Sequence, residues 1–185
     1  LVNNLKESNP VLVDELVPKL LGLGEIQKVL QNLLSEGISI RDLLTIFETL
    51  ADHAPATRDT DVLTEYARQS LKRAISSKYF PANETTSVIT VDPKIEQEIM
   101  GSVKQTEQGA YLTLDPERTK AIMASVEEEV AKLENMGKPA IIMTSPIVRM
   151  YFKKLTEDYF KDLTVLSYNE VESNVELQSV GMVTI

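Results

Sequence analysis

The chain has 185 residues, no cysteine, a single histidine and a net charge of −9 at neutral pH. These counts exclude disulfides, thiolate metal sites and a zinc site built on two or three histidines. The acidic balance argues against a nucleic-acid partner and against docking on anionic lipid, since both require a basic face.

The length fits one domain or two small ones, and 43% hydrophobic with 25% charged residues is ordinary for a globular chain. The longest uncharged stretch, residues 139–148, is too short to cross a bilayer, which needs about 20 residues. No signal-peptide pattern stands at the start. Because the sequence begins with leucine and not methionine, we expect it to be a piece of a longer protein.

The first half of the chain has apolar residues at every third or fourth position, the spacing of helices. Asn9 as N-cap and Pro10 at the first helical position predict a helix over residues 11–20. A second apolar stripe predicts a helix over residues 23–36, which Gly37 would end as a carboxy-terminal cap.

Two more helices are predicted directly after that cap. Ser39 is the expected N-cap of the third helix, with Asp42 as its capping-box partner. Leu44 is placed in the inward stripe of this helix by its apolar character. Asp59 is expected to begin a fourth helix, which the apolar spacing extends to residue 75. Four helices with short connections indicate an α-helical first half.

The second half repeats one device three times: a short β-rich run, a capping residue, a proline and a helix. The copies are Ser87–Val91 with Asp92 and Pro93, Ala110–Leu114 with Asp115 and Pro116, and Ala140–Thr144 with Ser145 and Pro146. A capping side chain accepts hydrogen bonds from the first helical turn, and proline loses none there. With further strands expected at residues 163–167 and within 175–185, the pattern predicts an open, at least partly parallel sheet covered by helices.

Few residues suggest chemistry. If the strands of the three devices are parallel, their helix starts lie at one edge of the sheet, where α/β proteins bind ligands. Convergence of Asp92, Asp115 and another acid there would support the alternative function, a small α/β enzyme using carboxylates and magnesium. His53 lies at a predicted helix end, where the helix dipole favours its charged form, but no nucleophile motif accompanies it.

Three other clusters have simpler structural explanations. Gly22 and Gly24 precede a helix, whereas a dinucleotide loop would follow a strand and carry a third glycine. The run Glu127–Glu129 points around a helix and is predicted to be a solvated face. Arg149 lies among aromatic residues, as in single-strand binders, yet those aromatics belong to a buried stripe. We therefore predict no enzyme, no cofactor, no metal and no nucleic-acid partner.

A long ordered series of segments carries a family resemblance. The segments are Glu15–Leu21, Ile26–Leu34, Ser39–Leu43, Thr45–Pro55, Ala74–Ile75, Tyr79–Pro81 and Asn83–Glu84, with Pro139–Met143 and the terminal strand matching more loosely. In this series the chain resembles the FlhA family, the large export-gate proteins of the bacterial flagellar type III secretion apparatus, which have relatives in virulence injectisomes. The resemblance covers essentially the whole chain.

With the periodicities, the resemblance implies an α + α/β fold. A helical subdomain over residues 1–84 would be similar to the third cytoplasmic subdomain of the family, with a remnant of the first at residues 1–8. An α/β subdomain with a mixed, partly parallel sheet over residues 85–185 would be similar to the fourth. The main chaperone pocket of the family lies in the first two subdomains, so the resemblance assigns no pocket residue to this chain.

The resemblance also implies a function. The chain would be a non-enzymatic, ring-forming and partner-docking part of a multi-pass export gate, on the cytoplasmic face of the bacterial inner membrane. Implied partners are other copies in a nonameric ring and, through the whole cytoplasmic region, chaperone–substrate complexes and export ATPase components, with no membrane contact by this part. The candidate interface residues are polar residues between the apolar stripes: Arg41, Asp42, Glu48, Asp52, Arg58 and Asp59.

Overall fold

The computed structural model describes residues 1–185 and divides the chain into two units, Leu1–Tyr79 and Phe80–Ile185. Nine α-helices and six strands are distributed between them, with all the strands in the second unit. None of the helices combines the length and the apolar character that a bilayer span requires.

Six helices form the amino-terminal unit. They are α1 (Val2–Ser8), α2 (Pro10–Leu16), α3 (Leu23–Ser35), α4 (Leu43–His53), α5 (Thr60–Ser70) and α6 (Lys72–Tyr79). Helix α5 packs against α3 and α4, and α2 packs against α4. Their inward apolar side chains form the core of the unit: Val13, Leu16, Ile26, Val29, Leu33, Ile46, Phe47, Leu50, Leu63, Ala67 and Ile75.

Two predicted helices have different bounds in the structure. Helix α2 ends at Leu16 because Pro18 disfavours helical geometry at Val17, which is extended with φ −117° and ψ 122°. The predicted fourth helix is divided into α5 and α6 at Leu71, whose φ of −97° and ψ of 18° lie outside helical geometry.

The start of α4 also differs from the prediction. Its N-cap is Asp42 and not Ser39, since the Thr45 backbone N donates to Asp42 Oδ1 at 3.2 Å and Thr45 Oγ1 donates to Asp42 Oδ2 at 2.7 Å. Ser39 Oγ accepts instead from the Arg41 backbone N at 3.3 Å. Asp42 therefore has the primary capping role, and the predicted capping box is wrong.

The end of α3 has the predicted glycine cap. Gly37 has φ +74°, a conformation that favours glycine. Ile38 N donates to Leu33 O at 3.0 Å and Gly37 N donates to Leu34 O at 2.9 Å, which closes a Schellman turn. Lys78 Nζ of α6 donates to Gly37 O at 2.5 Å, so this turn also joins α3 to α6.

A four-stranded parallel sheet lies at the centre of the carboxy-terminal unit. The strands of the unit are β1 (Thr85–Val91), β2 (Val103–Thr106), β3 (Gly109–Leu112), β4 (Ile141–Thr144), β5 (Thr164–Ser167) and β6 (Glu176–Val183). The parallel sheet has the order β5-β4-β1-β6, and β2 and β3 form a separate antiparallel hairpin. The α + α/β class with a mixed, partly parallel set of strands is confirmed.

Three helices complete this unit. They are α7 (Pro93–Gly101), α8 (Pro116–Asn135) and α9 (Pro146–Thr156), followed later by a short 3-10 helix, Tyr168–Glu170. Helix α8 packs on β1 and β6, and α9 packs on β4 and β5. Apolar residues of the strands and helices form one core: Ile89, Ile99, Ile122, Val126, Leu133, Ile142, Val148, Phe152, Val165 and Val183.

Each of the three strand–cap–proline devices begins a helix, as predicted. Asp92 and Asp115 each accept a hydrogen bond from the backbone N two residues later, at 2.9 Å. Ser145 makes no side-chain cap, and its backbone N and Oγ donate to Glu96 Oε2 at 2.8 and 3.0 Å. The condition for all three helix starts to share one sheet edge is not met, because β1 and β4 are parallel neighbours whereas β3 lies in the antiparallel hairpin.

Candidate interaction surface

The six polar residues predicted at an interface fall into two groups. Three of them make side-chain contacts within the chain: Asp42, Arg58 and Asp59. The other three are exposed on α4 or just before it: Arg41, Glu48 and Asp52. The side chains of the second group can therefore contact a partner without breaking a hydrogen bond within the chain.

The exposed group forms a line together with one apolar residue. Leu44, Glu48 and Asp52 are four residues apart and lie on one face of α4, with Arg41 just before the helix. We call these four residues the α4 stripe. Leu44 is 38% exposed, so its assignment to the buried stripe was wrong. Its spacing of four and eight residues from Glu48 and Asp52 is the sequence signal that would have placed it here.

Asp59 is the N-cap of α5. Its Oδ1 accepts from Asp61 N at 2.9 Å and from Val62 N at 3.4 Å. We expect Asp59→Ala to lower the free energy of unfolding by about 1 kcal/mol and Asp59→Asn to retain most of the stability, because asparagine also caps. Urea denaturation followed by circular dichroism measures both. An Asp59→Ala chain with unchanged stability would show that this carboxylate does not stabilise the helix start.

Arg58 is held by a carboxylate of α3. Its Nη2 lies 2.6 Å from Glu25 Oε1 and its Nε lies 3.3 Å from Glu25 Oε2. The Gly22 backbone N donates to Glu25 Oε1 at 3.0 Å. The hydrogen bonds from the Arg58 side chain and the Gly22 backbone lower the pKa of Glu25. The pair ties the loop before α5 to the start of α3.

This ion pair predicts a pH-dependent stability. Since the pKa of Glu25 is lower in the folded chain than its ordinary value of 4.5, its stabilisation is complete above that pH and is lost as the pH falls through the folded pKa. We expect Arg58→Met to be less stable than the parent chain at pH 7, and the difference to shrink below pH 4.5. Urea midpoints across pH 3 to 7 measure this difference. Arg73→Met, on the exposed side of α6, is the control, and an equal pH dependence in both variants would contradict the assignment.

Two charged side chains from the sequence clusters are buried. Arg149 is 1% exposed, and its Nη1 donates to Val165 O at 3.0 Å while its Nε lies 4.0 Å from Glu170 Oε2. Glu129 is 9% exposed, and its Oε1 accepts from Lys132 Nζ at 3.0 Å. The prediction of a solvated face is therefore wrong at Glu129, and Arg149 serves the interior of the unit.

The structure does not bring catalytic groups together. Asp92 and Asp115 are engaged as helix caps at different strands, so the convergence that the magnesium enzyme required is missing. No group of three or more histidine, aspartate or glutamate side chains is placed to hold a metal ion. The His53 ring stacks on Tyr66, with 3.8 Å between ring centroids and 5° between planes.

Comparison with known proteins identifies related sequences. The FHIPEP family model matches residues 1–176. Flagellar biosynthesis protein FlhA of Bacillus subtilis is 51% identical over 185 residues, which is all of this chain and 27% of that protein.

Solved structures have the same fold. The nonameric SctV-C of EPEC superposes with a TM-score of 0.81 at 37% identity, covering 98% of this chain and 54% of that one. The Chlamydia pneumoniae CdsV and CdsO complex gives a TM-score of 0.86 at 36% identity, covering 99% of this chain and 54% of that one. The chain thus spans about a quarter of the curated relative and about half of the solved chains.

Proposed function

Because the chain belongs to the FHIPEP family, we propose that it is a part of the protein export gate of a flagellar type III secretion apparatus. The observation that carries this proposal is the match along the whole chain to a flagellar biosynthesis protein. In this role the two units correspond to the third and fourth subdomains of the cytoplasmic region of the gate. That region lies on the cytoplasmic face of the inner membrane, and the gate spans the membrane elsewhere in its sequence.

We further propose that copies of the chain assemble into a ring. Support comes from the nonameric assembly of a relative with the same fold. Contacts in a ring are head-to-tail, so one surface of a subunit meets a different surface of the next. The α4 stripe suits one side of such a contact, because Leu44 supplies an exposed apolar centre and Arg41, Glu48 and Asp52 supply charges of both signs around it.

Charge reversal in the α4 stripe tests the ring contact. We expect Glu48→Lys with Asp52→Lys, made in the whole export gate, to reduce ring assembly about tenfold. Each substitution places a positive charge against a surface of the next subunit that accommodates a negative one. Negative-stain electron microscopy of the purified protein counts rings, and swimming in soft agar reports export.

The control carries the same change of charge at another place. Glu7→Lys with Glu15→Lys changes two exposed acids of α1 and α2, and it should leave ring assembly and swimming within about twofold of the parent. Unchanged assembly in the Glu48 and Asp52 variant would remove the α4 stripe from the ring contact. A parent gene that fails to restore swimming to a strain lacking its own export gate would overturn the export proposal itself.

Partner docking is the third part of the proposal. The solved complex of CdsV with CdsO supports a docking role for the corresponding part of this protein. We propose that the chain contributes to binding a counterpart of CdsO and, separately, export ATPase components, and that chaperone–substrate complexes dock through the rest of the cytoplasmic region. Co-purification of the whole protein with a tagged counterpart of CdsO tests this contact, and its absence under conditions that preserve rings would contradict it.

A further inference from the structure

The two edge strands of the parallel sheet, β5 and β6, are treated differently by the surrounding side chains. At β5, Thr164 N donates to Ala140 O at 3.0 Å, on the side of β4. The backbone groups of the flanking residues Leu163 and Val165 therefore point away from β4, to the outer edge of the sheet. An exposed row of such groups is a template for pairing with another strand. Whether these backbone groups already have hydrogen-bond partners therefore decides which edge of the sheet can accept another strand.

Side chains close the outer edge of β5. Lys153 Nζ donates to Leu163 O at 3.2 Å, and Arg149 Nη1 donates to Val165 O at 3.0 Å. The next outward group, Ser167 N, donates to a carboxylate oxygen of the 3-10 helix at 3.0 Å. Leu163 O, Val165 O and Ser167 N therefore already have charged partners, which a strand added at this edge would have to displace.

The edge of β6 is open over most of its length. Strand β6 has one hydrogen-bonded neighbour, β1, from Glu176 to Val183. Its own side chains are largely exposed, including Val180 at 37% and Met182 at 40%. The strand is closed only beyond its end, where Thr184 N donates to Ser125 Oγ at 3.0 Å.

A bulge limits what the open edge accommodates. The register with β1 shifts between Ser179 and Gly181, which leaves Val180 as the extra residue. Regular pairing before the bulge therefore covers the four residues Glu176–Ser179. This length suits a short extended segment and disfavours long ladders between copies.

The charge around the open edge is negative. Residues 171–185 contain two acidic residues and no basic one, and residues 124–135 of α8, which packs against β6, contain four acidic residues and one lysine. That lysine, Lys132, is engaged by Glu129 at 3.0 Å. Two copies meeting edge to edge would bring like charges together, whereas a segment rich in lysine or arginine would be attracted.

We propose that the outer edge of β6 binds an extended basic segment of a partner polypeptide as an additional strand. Backbone hydrogen bonds supply the pairing, Val180 and Met182 supply apolar contact, and the acidic surroundings select the charge of the partner. Strand addition at β6 goes beyond the proposed export role and does not depend on ring formation.

A labelled peptide of about eight alternating lysine and valine residues is the probe, titrated against the 185-residue chain by fluorescence anisotropy. We expect saturable binding, with amide NMR shifts in β6 and none in β5. The same peptide N-methylated at every second residue, and a glutamate–valine peptide, should each bind at least about tenfold more weakly. No binding, shifts confined to other strands, or equal affinity for the N-methylated peptide would overturn the proposal.

Two variants with the same change of net charge distinguish binding at the β6 edge from non-specific electrostatic attraction. Glu176→Lys with Val180→Lys should weaken the lysine–valine peptide by at least about tenfold. Glu117→Lys with Gln108→Lys adds the same charge at exposed positions of α8 and the β2–β3 turn, and it should change affinity by less than about twofold. Equal losses in both variants would show that net charge alone governs binding, which also contradicts strand addition.

Discussion

Replacing Arg149 with methionine is expected to lower the free energy of unfolding by about 3–5 kcal/mol, because it removes one partner of a buried charge pair. Arg149 and Glu170 are each 1% exposed, so Glu170 would be left in the interior without the charge that offsets its desolvation. Val165 O would also lose its donor at the closed edge of β5. Urea denaturation followed by circular dichroism measures the loss, and amide exchange in β4 and β5 locates it.

A double substitution distinguishes charge from packing. Arg149→Met with Glu170→Gln removes both charges while the amide oxygen can still accept from Ser167 N, as Glu170 Oε1 does at 3.0 Å. We expect the double variant to recover at least about half of the stability lost in the single variant, since no uncompensated charge remains. No recovery would mean that the guanidinium acts through its shape and its bond to Val165 O.

Arg118→Met is the matched control for the arginine position. Arg118 also pairs with a carboxylate of the same unit, Glu98, with Nε–Oε1 and Nη2–Oε2 distances of 2.7 and 2.8 Å, but its side chain is 44% exposed. Solvent screens that pair, so its loss should cost several-fold less than the loss of Arg149. Equal effects would contradict the view that burial decides the contribution of the charge.

Helix starts were predictable from the sequence, whereas the strands of the hairpin were less so. Asp92 and Asp115 were placed at helix starts from sequence because capping and the proline that follows act within a few residues. The hairpin strand β2 was not predicted, since its residues Val103–Thr106 are mostly exposed and show no alternation of apolar side chains. Local chemistry was therefore readable, whereas structure fixed by distant contacts was not.

The apolar spacing indicated only weakly that two charged side chains are buried. Arg149 lies three and seven residues before Phe152 and Thr156, which are both fully buried, so the spacing placed it on the inward face of α9. Glu129 lies three residues after Val126 and four before Leu133, which are also buried. A charged residue is ordinarily assigned to solvent, and only the position of its partner in the fold reverses that assignment.

The candidate surface was predictable in the same partial way. Polar residues between apolar stripes could be named from sequence, and Glu48 and Asp52 are indeed exposed on one face of α4. The sequence did not distinguish them from Arg58, which contacts Glu25, because that contact joins residues 33 positions apart. The interface role of these residues remains a prediction that the charge-reversal experiment addresses.

Gly181→Ala is expected to lower the free energy of unfolding by about 1–3 kcal/mol through overpacking between β6 and α8. A Cβ at Gly181 would overlap Glu129 Oε2 and would lie 2.9 Å from Glu129 Cδ. The carboxylate is held by Lys132, so it must break that ion pair and turn outward, or β6 must move away from α8. Gly101→Ala is the control, since a Cβ there meets no atom within 4 Å, and we expect it to be neutral or stabilising by up to about 1 kcal/mol.

Truncation of the opposing side chain should remove the penalty at Gly181. In a Glu129→Ala background the obstructing atoms are absent, so adding Gly181→Ala should cost close to nothing or stabilise by about 0.5 kcal/mol, because alanine loses less backbone entropy than glycine on folding. Urea denaturation of the four chains of this cycle measures the coupling between the two positions. An equal cost of Gly181→Ala with and without the Glu129 side chain would place the strain in the backbone of the bulge. A coupling close to the full cost would show that the Glu129 carboxylate of α8 limits the space available to β6 at Gly181.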